Sequence, residues 1–287
     1  MTGPFDRREL MRRLAPANAF QPATMLWRVF EIEAIQQHAT LSGRGVDIGC
    51  GDGDLGRVVF DGYHPRPQVI GVEPDVHDCT LARESGTYEA VHCVSGDAIP
   101  VAAGTLDFVF SNSTLEHIPD LQPVIAEAGR VLRTGGEFVF TVPSEQFHAC
   151  LRGGGLVALL ARRRGRTYSE LIDERLAHHR YPSPEAWTDL LGAHGFVNVR
   201  SERYFPLAAV RAWESLSNIT GGLAFELFGA RRPTRQIQHR LGLSRRTASP
   251  TAAVVASMTA LVARRAFGAA VRASEPSGGL LIVATRG

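Results

Sequence analysis

The sequence predicts an α/β fold: a doubly wound, mostly parallel sheet with helices on both faces, together with a helical cap. Short apolar runs alternate with helical segments between 44 and 142, which is the pattern of β-α-β units. The first apolar run ends in a turn with glycine at alternate positions, as at ligand sites of parallel sheets. A last apolar run, 280–285, predicts a further strand. The 287 residues, 44% of them hydrophobic, are enough for an elaborated domain with a large core.

Each element follows from a local pattern. Strands are predicted over 44–48, 69–72, 90–94, 106–110, 137–142, 196–204 and 280–285. Helices are predicted over 5–14, 22–39, 54–60, 75–85, 119–132 and 183–195. The helix over 119–132 begins at Pro119 and is closed by Gly135-Gly136, whereas 143–182 shows no regular pattern. We expect four parts: an N-terminal helical cap (1–40), a core (41–204) with a lid insertion (146–182), a helical insertion (205–278) and a final core strand (279–287).

The glycine turn carries the main functional signal. After the predicted strand at 44–48, Gly49, Gly51 and Gly53 can adopt positive φ and let a ligand approach the main chain. The helix that begins at Asp54 points its first N–H groups over this turn. Residues 51–56 also match the dinucleotide pattern G-x-G-x-x-G, so the turn alone leaves a nicotinamide dinucleotide site open.

Polar residues follow the next strands as well. Glu73 ends the second strand, where a carboxylate can accept both hydroxyls of a ribose and repel a 2′-phosphate. Asp97 and Ala98 follow the third strand, where they can meet the amine and a ring nitrogen of adenine. The fourth strand leads into a segment that contains Leu115-Glu116-His117.

Together these segments resemble the class I S-adenosylmethionine-dependent methyltransferases, in particular the small-molecule, type 11-like group. The acid–Gly-x-Gly-x-Gly turn, the acid after strand two, the Asp-Ala pair and the Leu-Glu-His segment occur in the family's order over about 40–145. The segment 129–136 also looks like the family. The resemblance implies a Rossmann-like seven-stranded sheet in the order 3-2-1-4-5-7-6, with only the last strand antiparallel. It implies S-adenosyl-L-methionine as the cofactor.

The resemblance also implies roles for individual residues. Asp47 would hold the methionine ammonium through water, and Ser111 would offer its backbone carbonyl nearby. Gly49 and Gly51 would let the amino-acid part pass close to the backbone. The cofactor-binding set expected in this way is Asp47, Gly49, Cys50, Gly51, Gly53, Glu73, Pro74, Asp97, Ala98, Ser111, Asn112, Glu116 and His117.

Three histidines are candidates for the chemistry. His117 lies where the resemblance puts the methyl group against the acceptor, and an ordinary imidazole pKa near 6.5 suits removal of a hydroxyl proton. An orienting role stays open, because in-line transfer can rest on proximity alone. His148 and His179 are further candidates for acceptor contact. No metal site is expected, and Cys50, Cys79, Cys93 and Cys150 are expected to be reduced thiols.

Charge is unevenly distributed along the chain. Between 203 and 273 there are eleven Arg and two acidic residues, a balance of +9, whereas the whole chain carries only +2. This stretch is also rich in apolar residues, and Leu156–Arg166 has the same character, with apolar residues followed by arginines. It is either an ordinary cap or dimer element, or a surface for anionic lipid or a phosphate-bearing acceptor. A charged N-terminus and the lack of an 18-residue apolar run suggest a cytoplasmic protein, with peripheral contact at the inner membrane surface as an alternative.

The leading interpretation is a methyltransferase that O-methylates a glycan, a lipid-linked molecule or a secondary metabolite. The alternatives are an NAD-dependent oxidoreductase of the Rossmann type, a nucleic-acid methyltransferase and a non-catalytic binding module. A small-molecule or lipid-linked acceptor is the expected partner. No nucleic acid is expected, because the fourth strand is not followed by an N-P-P-Y-type tetrapeptide.

Overall fold

A seven-stranded sheet organises the fold. The computed structural model describes residues 6–18, 21–153, 155–163, 165–219, 257–261 and 263–287. Within them the strand order is β3-β2-β1-β4-β5-β7-β6, as predicted. The strands are β1 (Arg44–Ile48), β2 (Gln68–Val72), β3 (Ala90–His92), β4 (Leu106–Asn112), β5 (Leu132–Pro143), β6 (Phe196–Pro206) and β7 (Ser277–Arg286).

The pairing of the strands confirms the predicted directions. Strand β1 pairs in parallel with β2 and β4, and β2–β3 and β4–β5 are parallel as well. Strand β7 runs antiparallel to β5, with Glu137 opposite Thr285 and Pro143 opposite Gly279. Strands β1 and β2 are buried at all but their first residue, since both faces of a parallel sheet are covered. The carboxyl ends of β1 to β5 therefore meet along one edge, where the predicted ligand site lies.

The helices include three in the segment for which the sequence showed no regular pattern. Helix α8 begins there with a capping box, in which Thr167 and Glu170 satisfy each other's backbone N–H groups. Within the described residues the helices with defined bounds are α1 (Arg7–Asn18), α2 (Pro22–His38), α3 (Asp54–Phe60), α4 (Val76–Glu84), α5 (Gln122–Val131), α6 (Phe147–Cys150), α7 (Gly155–Arg163), α8 (Tyr168–Leu176), α9 (Pro184–Gly192), α10 (Leu207–Ser217) and α11 (Arg264–Phe267), with a 3₁₀ turn at Leu115–His117.

The helix predicted over 119–132 begins later than expected and ends at Val131, within one residue of the predicted end. Helix α5 begins at Gln122, whose N–H donates to the Asp120 side chain, so Pro119 lies before the helix. The glycine pair does not close it either. Strand β5 already starts at Leu132, and the register jumps between the pairs Leu106–Leu132 and Phe108–Glu137. Gly135, with φ +77°, lies in this bulge of β5.

Two of the four cysteines are not the free thiols that the sequence suggested. Cys79 and Cys93 form a disulfide with their Cα atoms 5.9 Å apart, a separation suited to such a bond. Helix α4 starts, and β3 ends, at the same edge of the sheet, and this brings the two residues together. Local spacing could not reveal that proximity. Cys50 and Cys150 are free and buried.

The chain divides into two compact units. The first, which we call the core unit, consists of Glu31–Glu145, Arg180–Tyr204 and Gly279–Gly287. The second, the helical unit, consists of Met1–Phe30, Gln146–His179 and Phe205–Gly278. The core unit contains the sheet and its aliphatic interior. In the helical unit the ring of Trp27 lies 4.5–5.8 Å from those of Phe147, Phe205 and Trp213.

Candidate functional site

The turn after β1 is built so that only glycine fits. Gly49, Gly51 and Gly53 have φ of 75°, 56° and 81°, in the left-handed region that side chains disfavour. A Cβ at Gly49 would lie 2.4 Å from the side chain of Thr114. The N–H of Gly49 donates to the carbonyl of Val72 at 2.8 Å, which ties the turn to the end of β2. The turn therefore presents bare main chain at the carboxyl edge of the sheet.

Asp47 lies beneath this turn with an unusual partner. Its side chain is 4% exposed, and the Tyr88 hydroxyl donates to Oδ2 at 2.7 Å. Burial raises the pKa of Asp47 to about 7, the hydrogen bond from Tyr88 lowers it, and the charge of Glu73 raises it. The pKa of Tyr88 is itself raised by burial. A Cβ at Gly56 would lie 2.3 Å from the Tyr88 hydroxyl, so the last glycine of the dinucleotide-like pattern makes room for this tyrosine.

Glu73 is fixed at the end of β2 by main-chain donors. Its Oε2 accepts the N–H of Gly51 at 3.0 Å and its Oε1 accepts the N–H of Asp75 at 3.1 Å. Because each carboxylate oxygen carries two lone pairs, Glu73 can accept ligand hydroxyls as well. Pro74 follows as an exposed residue. The carboxylate is thus held directly against the glycine turn.

The loop after β3 also approaches the turn. A Cβ at Gly96 would lie 2.7 Å from Cγ2 of Ile48, so the loop packs closely on the last residue of β1. Asp97 and Ala98 are exposed on this loop. The N–H of Ala98 donates to the carbonyl of Ser95 at 3.1 Å, so the group expected to meet a ring nitrogen is engaged within the loop.

The residues at the end of β4 face the protein interior. The Ser111 hydroxyl donates to the carbonyl of Ile48 at 3.0 Å and joins the ends of β4 and β1. Asn112 is 6% exposed, and its amide donates to Glu31 at 3.0 Å. The side chain of Asn112, expected at the cofactor, is therefore used within the protein.

The 3₁₀ turn after β4 presents two candidates in different environments. The N–H of His117 donates to the carbonyl of Thr114 at 3.0 Å, and its imidazole is 41% exposed. Glu116 is 2% exposed, and its Oε1 lies 4.0 Å from Nε2 of His117.

The other two histidine candidates belong to the helical unit. Nε2 of His148 lies 2.8 Å from Oδ1 of Asp173, and the His148 side chain is about one-third exposed. His179 is exposed. His117 alone of the three shares the core unit with the glycine turn.

The electrostatics at the turn favour a cationic ligand. Burial raises the pKa of the Cys50 thiol, and the charges of Asp47, Glu73 and Asp52 raise it further. A thiol in this state is not a nucleophile at neutral pH. The same three carboxylates would attract an ammonium or sulfonium and repel a pyrophosphate. With the bare main chain at 49–53 and Glu73 as a hydroxyl acceptor, the residues present fit a positively charged nucleoside.

Two residues of this site were missed by the sequence analysis. Tyr88 and Glu31 lie 41 and 81 residues from the partners that they meet, Asp47 and Asn112. No local motif marks either one. A buried acid on an amphipathic helix is indistinguishable from a solvated one in the sequence, so only the fold reveals these contacts.

Comparison with known proteins places these observations in a family. A family model described as a methyltransferase domain matches residues 7–201. The chain is 31% identical over 104 residues to the sarcosine/dimethylglycine N-methyltransferase of Halorhodospira halochloris, which covers 35% of this chain and 37% of that protein. It is 30% identical over 166 residues to the nocamycin O-methyltransferase of Saccharothrix syringae, which covers 54% of this chain and 59% of that protein. The chain thus spans less than two thirds of the length of either relative.

A solved structure shares the fold over a longer stretch. It is described as a SAM-dependent methyltransferase, "possible histamine N-methyltransferase", from Thermotoga maritima. The TM-score is 0.52 and the identity 15%, with 92% of this chain and 91% of that chain covered. At this identity the likeness concerns the fold alone.

Proposed function

The chain belongs to the methyltransferase-domain family, and from this premise we propose that it transfers a methyl group to a hydroxyl oxygen of a small or lipid-linked acceptor. The methyl donor of the family is S-adenosyl-L-methionine. One observation carries the proposal: the glycine turn at 49–53 lies among carboxylates, in a sheet whose inserted antiparallel β7 matches the order expected for this family. That environment suits a charged sulfonium nucleoside better than a dinucleotide.

In this proposal the residues at the carboxyl edge of the sheet bind different parts of the cofactor. Asp47 holds the ammonium through water, and Glu73 accepts the ribose hydroxyls while its main-chain donors fix its orientation. Asp97 accepts from the adenine amine. When bound, S-adenosyl-L-methionine supplies a methyl group activated on a sulfonium, whose carbon–sulfur bond breaks as the acceptor oxygen attacks.

His117 is the proposed base. Its half-exposed imidazole can take the proton of the acceptor hydroxyl, and the buried carboxylate of Glu116, 4.0 Å from Nε2, stabilises the imidazolium that results. An oxygen acceptor is supported by this candidate base and by the O-methyltransferase relative, which matches more of this chain than the N-methyltransferase does.

An amphiphilic, anionic acceptor is supported by α7 in the helical unit. Leu156 and Leu159 are 58% and 49% exposed one helical turn apart, and exposed Arg162 and Arg163 follow them. Apolar side chains beside Arg suit an anionic lipid surface or a lipid-linked acceptor. Among the described helices none is long and apolar enough to cross a membrane. Of the basic stretch between 203 and 273, four arginines on which an anionic surface could depend lie outside the described residues: Arg231, Arg232, Arg245 and Arg246.

Calorimetry tests the activity class. S-adenosyl-L-methionine should bind the wild type and NAD should not, and incubation with extracted metabolites should yield a product heavier by one methylene. The variant Glu73→Ala should lose at least about tenfold in affinity, because it loses charged acceptors worth about 1.5–3 kcal/mol each. The matched control is Glu89→Ala, an exposed glutamate before β3 at the opposite edge of the sheet. Binding of NAD without S-adenosyl-L-methionine would overturn the proposal.

Vesicle sedimentation tests the acceptor class. Wild-type protein should bind vesicles that contain anionic lipid, and binding should weaken with salt. The double variant Leu156→Ser/Leu159→Ser should bind less. Val76→Ser is the control, since this valine is 71% exposed on α4 in the core unit. Equal binding by both variants would remove α7 from the proposal.

A further inference from the structure

Glu31 on α2 is a fully buried acid that the proposed chemistry does not use. Its Oε1 accepts hydrogen bonds from the hydroxyls of Ser113 at 2.5 Å, Thr141 at 2.9 Å and Tyr204 at 3.0 Å. Its Oε2 accepts from the amide of Asn112 at 3.0 Å. These donors belong to the ends of β4 and β5 and to β6, all in the core unit. Burying a carboxylate is costly unless donors compensate it, so the surroundings are built for this side chain.

The turn after β4 is strained at the residue that Glu31 holds. Ser113 has φ 45°, in the left-handed region that a residue with a side chain rarely adopts. Its hydroxyl is bound to Glu31 and its N–H to the carbonyl of Thr141 at 3.0 Å. Such conformations persist where the surroundings enforce them, often at functional sites. Glu31 and Thr141 provide that enforcement.

The strained turn determines where the next residues lie. Thr114 follows at once; its side chain fills the space where Gly49 would carry a Cβ, and its hydroxyl donates to the carbonyl of Asn112 at 3.2 Å. The 3₁₀ turn starts at the next residue and carries His117. A continuous set of contacts therefore leads from Glu31 through Ser113 to the glycine turn and to the candidate base.

We propose that Glu31 is a positioning residue of the cofactor site. By holding the left-handed turn at Ser113, it keeps Thr114 against Gly49 and fixes the start of the segment that presents His117. Glu31 is fully buried, so in this proposal it acts through these residues and not by direct contact with the ligand. The inference rests on the proposed function, because the effect of Glu31 on the site is measured as affinity for S-adenosyl-L-methionine.

A rescue experiment tests the proposal. Glu31→Ala should bind S-adenosyl-L-methionine about tenfold more weakly than the wild type in calorimetry, because Ser113 loses its anchor and relaxes to an ordinary φ. The double variant Glu31→Ala/Ser113→Gly should regain at least half of that loss on a logarithmic scale, because glycine adopts positive φ without penalty. Glu31→Gln should stay within about threefold of the wild type, since a carboxamide can still accept from Asn112 and donate to hydroxyl oxygens.

Tyr204→Phe is the matched control. It removes a donor to the same Oε1 of Glu31 but lies on β6, outside the turn. It should lower the melting temperature and leave the affinity unchanged. If Glu31→Ala fails to fold, Glu31→Asp replaces it in the experiment, because its side chain is shorter by one methylene. It should show the same loss of affinity and the same rescue by Ser113→Gly. Loss of affinity without rescue by Ser113→Gly would overturn the positioning role and leave Glu31 as a stabilising residue only.

Hydrogen exchange separates this inference from the proposed function. In Glu31→Ala, amides of 113–118 should exchange about tenfold faster than in the wild type, and β2 should be unchanged. The Ser113→Gly rescue should restore protection, and no cofactor is needed for this measurement. If the variants show this exchange pattern but the wild type does not bind S-adenosyl-L-methionine, only the proposed function is overturned. Unchanged exchange at 113–118 would overturn the inference about Glu31.

Discussion

The pH dependence of cofactor binding is the most direct test of the role assigned to Asp47. A carboxyl attracts the ligand ammonium only when it is ionised, and burial raises the pKa of Asp47 to about 7. The ionised fraction then falls from about nine tenths at pH 8 to about one tenth at pH 6, so affinity should fall about tenfold over that interval. The unliganded protein should show the opposite trend in stability. Its folded-state pKa lies above the ordinary 3.8, so the stability from this group is lost as the pH rises from about 4 to about 7.

The substitution Tyr88→Phe should raise the pKa of Asp47. It keeps the ring and removes the hydroxyl whose hydrogen bond lowers the pKa of Asp47. A hydrogen bond to a charged group contributes about 1.5–3 kcal/mol and one pKa unit is about 1.4 kcal/mol, so the pKa should rise by about one to two units. At pH 7 the ionised fraction falls from about one half to between about one tenth and one hundredth, and affinity falls about 5- to 50-fold.

Calorimetric titration with S-adenosyl-L-homocysteine between pH 5.5 and 8.5 measures this shift. The ammonium of the ligand titrates equally in every variant, so it cancels in the comparison. Tyr63→Phe is the control, since its buried hydroxyl donates to main-chain carbonyls of Ile35 and Ala39 at 3.2 Å and does not contact Asp47. If Tyr88→Phe has the same midpoint as the wild type, or if the wild type shows no fall below pH 7, Asp47 does not hold the ammonium and the reasoning fails.

Three further substitutions test neighbouring parts of the site. Glu73→Gln keeps the size of the side chain but removes its charge; calorimetry should show a five- to tenfold loss of affinity, and no loss would exclude Glu73 as the ribose acceptor. In steady-state assays His117→Ala should lower kcat by about 10²–10⁴, and in binding assays it should still bind the cofactor; a loss of kcat below tenfold would favour an orienting role. Gly49→Ala should abolish cofactor binding, because its Cβ would collide with Thr114. The control Gly86→Ala has a similar φ of 65° in open space, so it should cost only about 1 kcal/mol in thermal unfolding.

The strands could be predicted because their patterns are local in the chain, whereas their order in the sheet follows from the family resemblance. Each apolar run and each intervening helix is visible by itself, and the antiparallel β7 follows from the family resemblance. Helix α5 shows the limit of this approach. Pro119 and the pair Gly135-Gly136 suggested where this helix starts and stops, but it starts at Gln122 and the glycines lie in a bulge of β5. The cofactor residues at strand ends could be listed from motifs, although these assignments stay predictions.

The contacts between distant residues could not be predicted. Tyr88 meets Asp47 because it packs beneath a turn 41 residues earlier, and Cys79 meets Cys93 because a helix start and a strand end share one edge. Glu31 lies on a helix whose pattern indicates only an apolar stripe. Burial determines what each of these side chains does, and burial belongs to the fold rather than to any motif.

The place of β7 has a consequence for how the chain is made. Strand β7 lies between β5 and β6, although about 70 residues separate the end of β6 at Pro206 from Ser277. A ribosome releases the chain from its N-terminus, so β6 emerges well before the strand that joins it to the sheet. Through that interval the edge of β5 presents unpaired main-chain groups, which can pair with another chain. The sheet is therefore completed only after about 70 further residues have been made, and a chain that stops between β6 and β7 is left with an open edge that promotes aggregation.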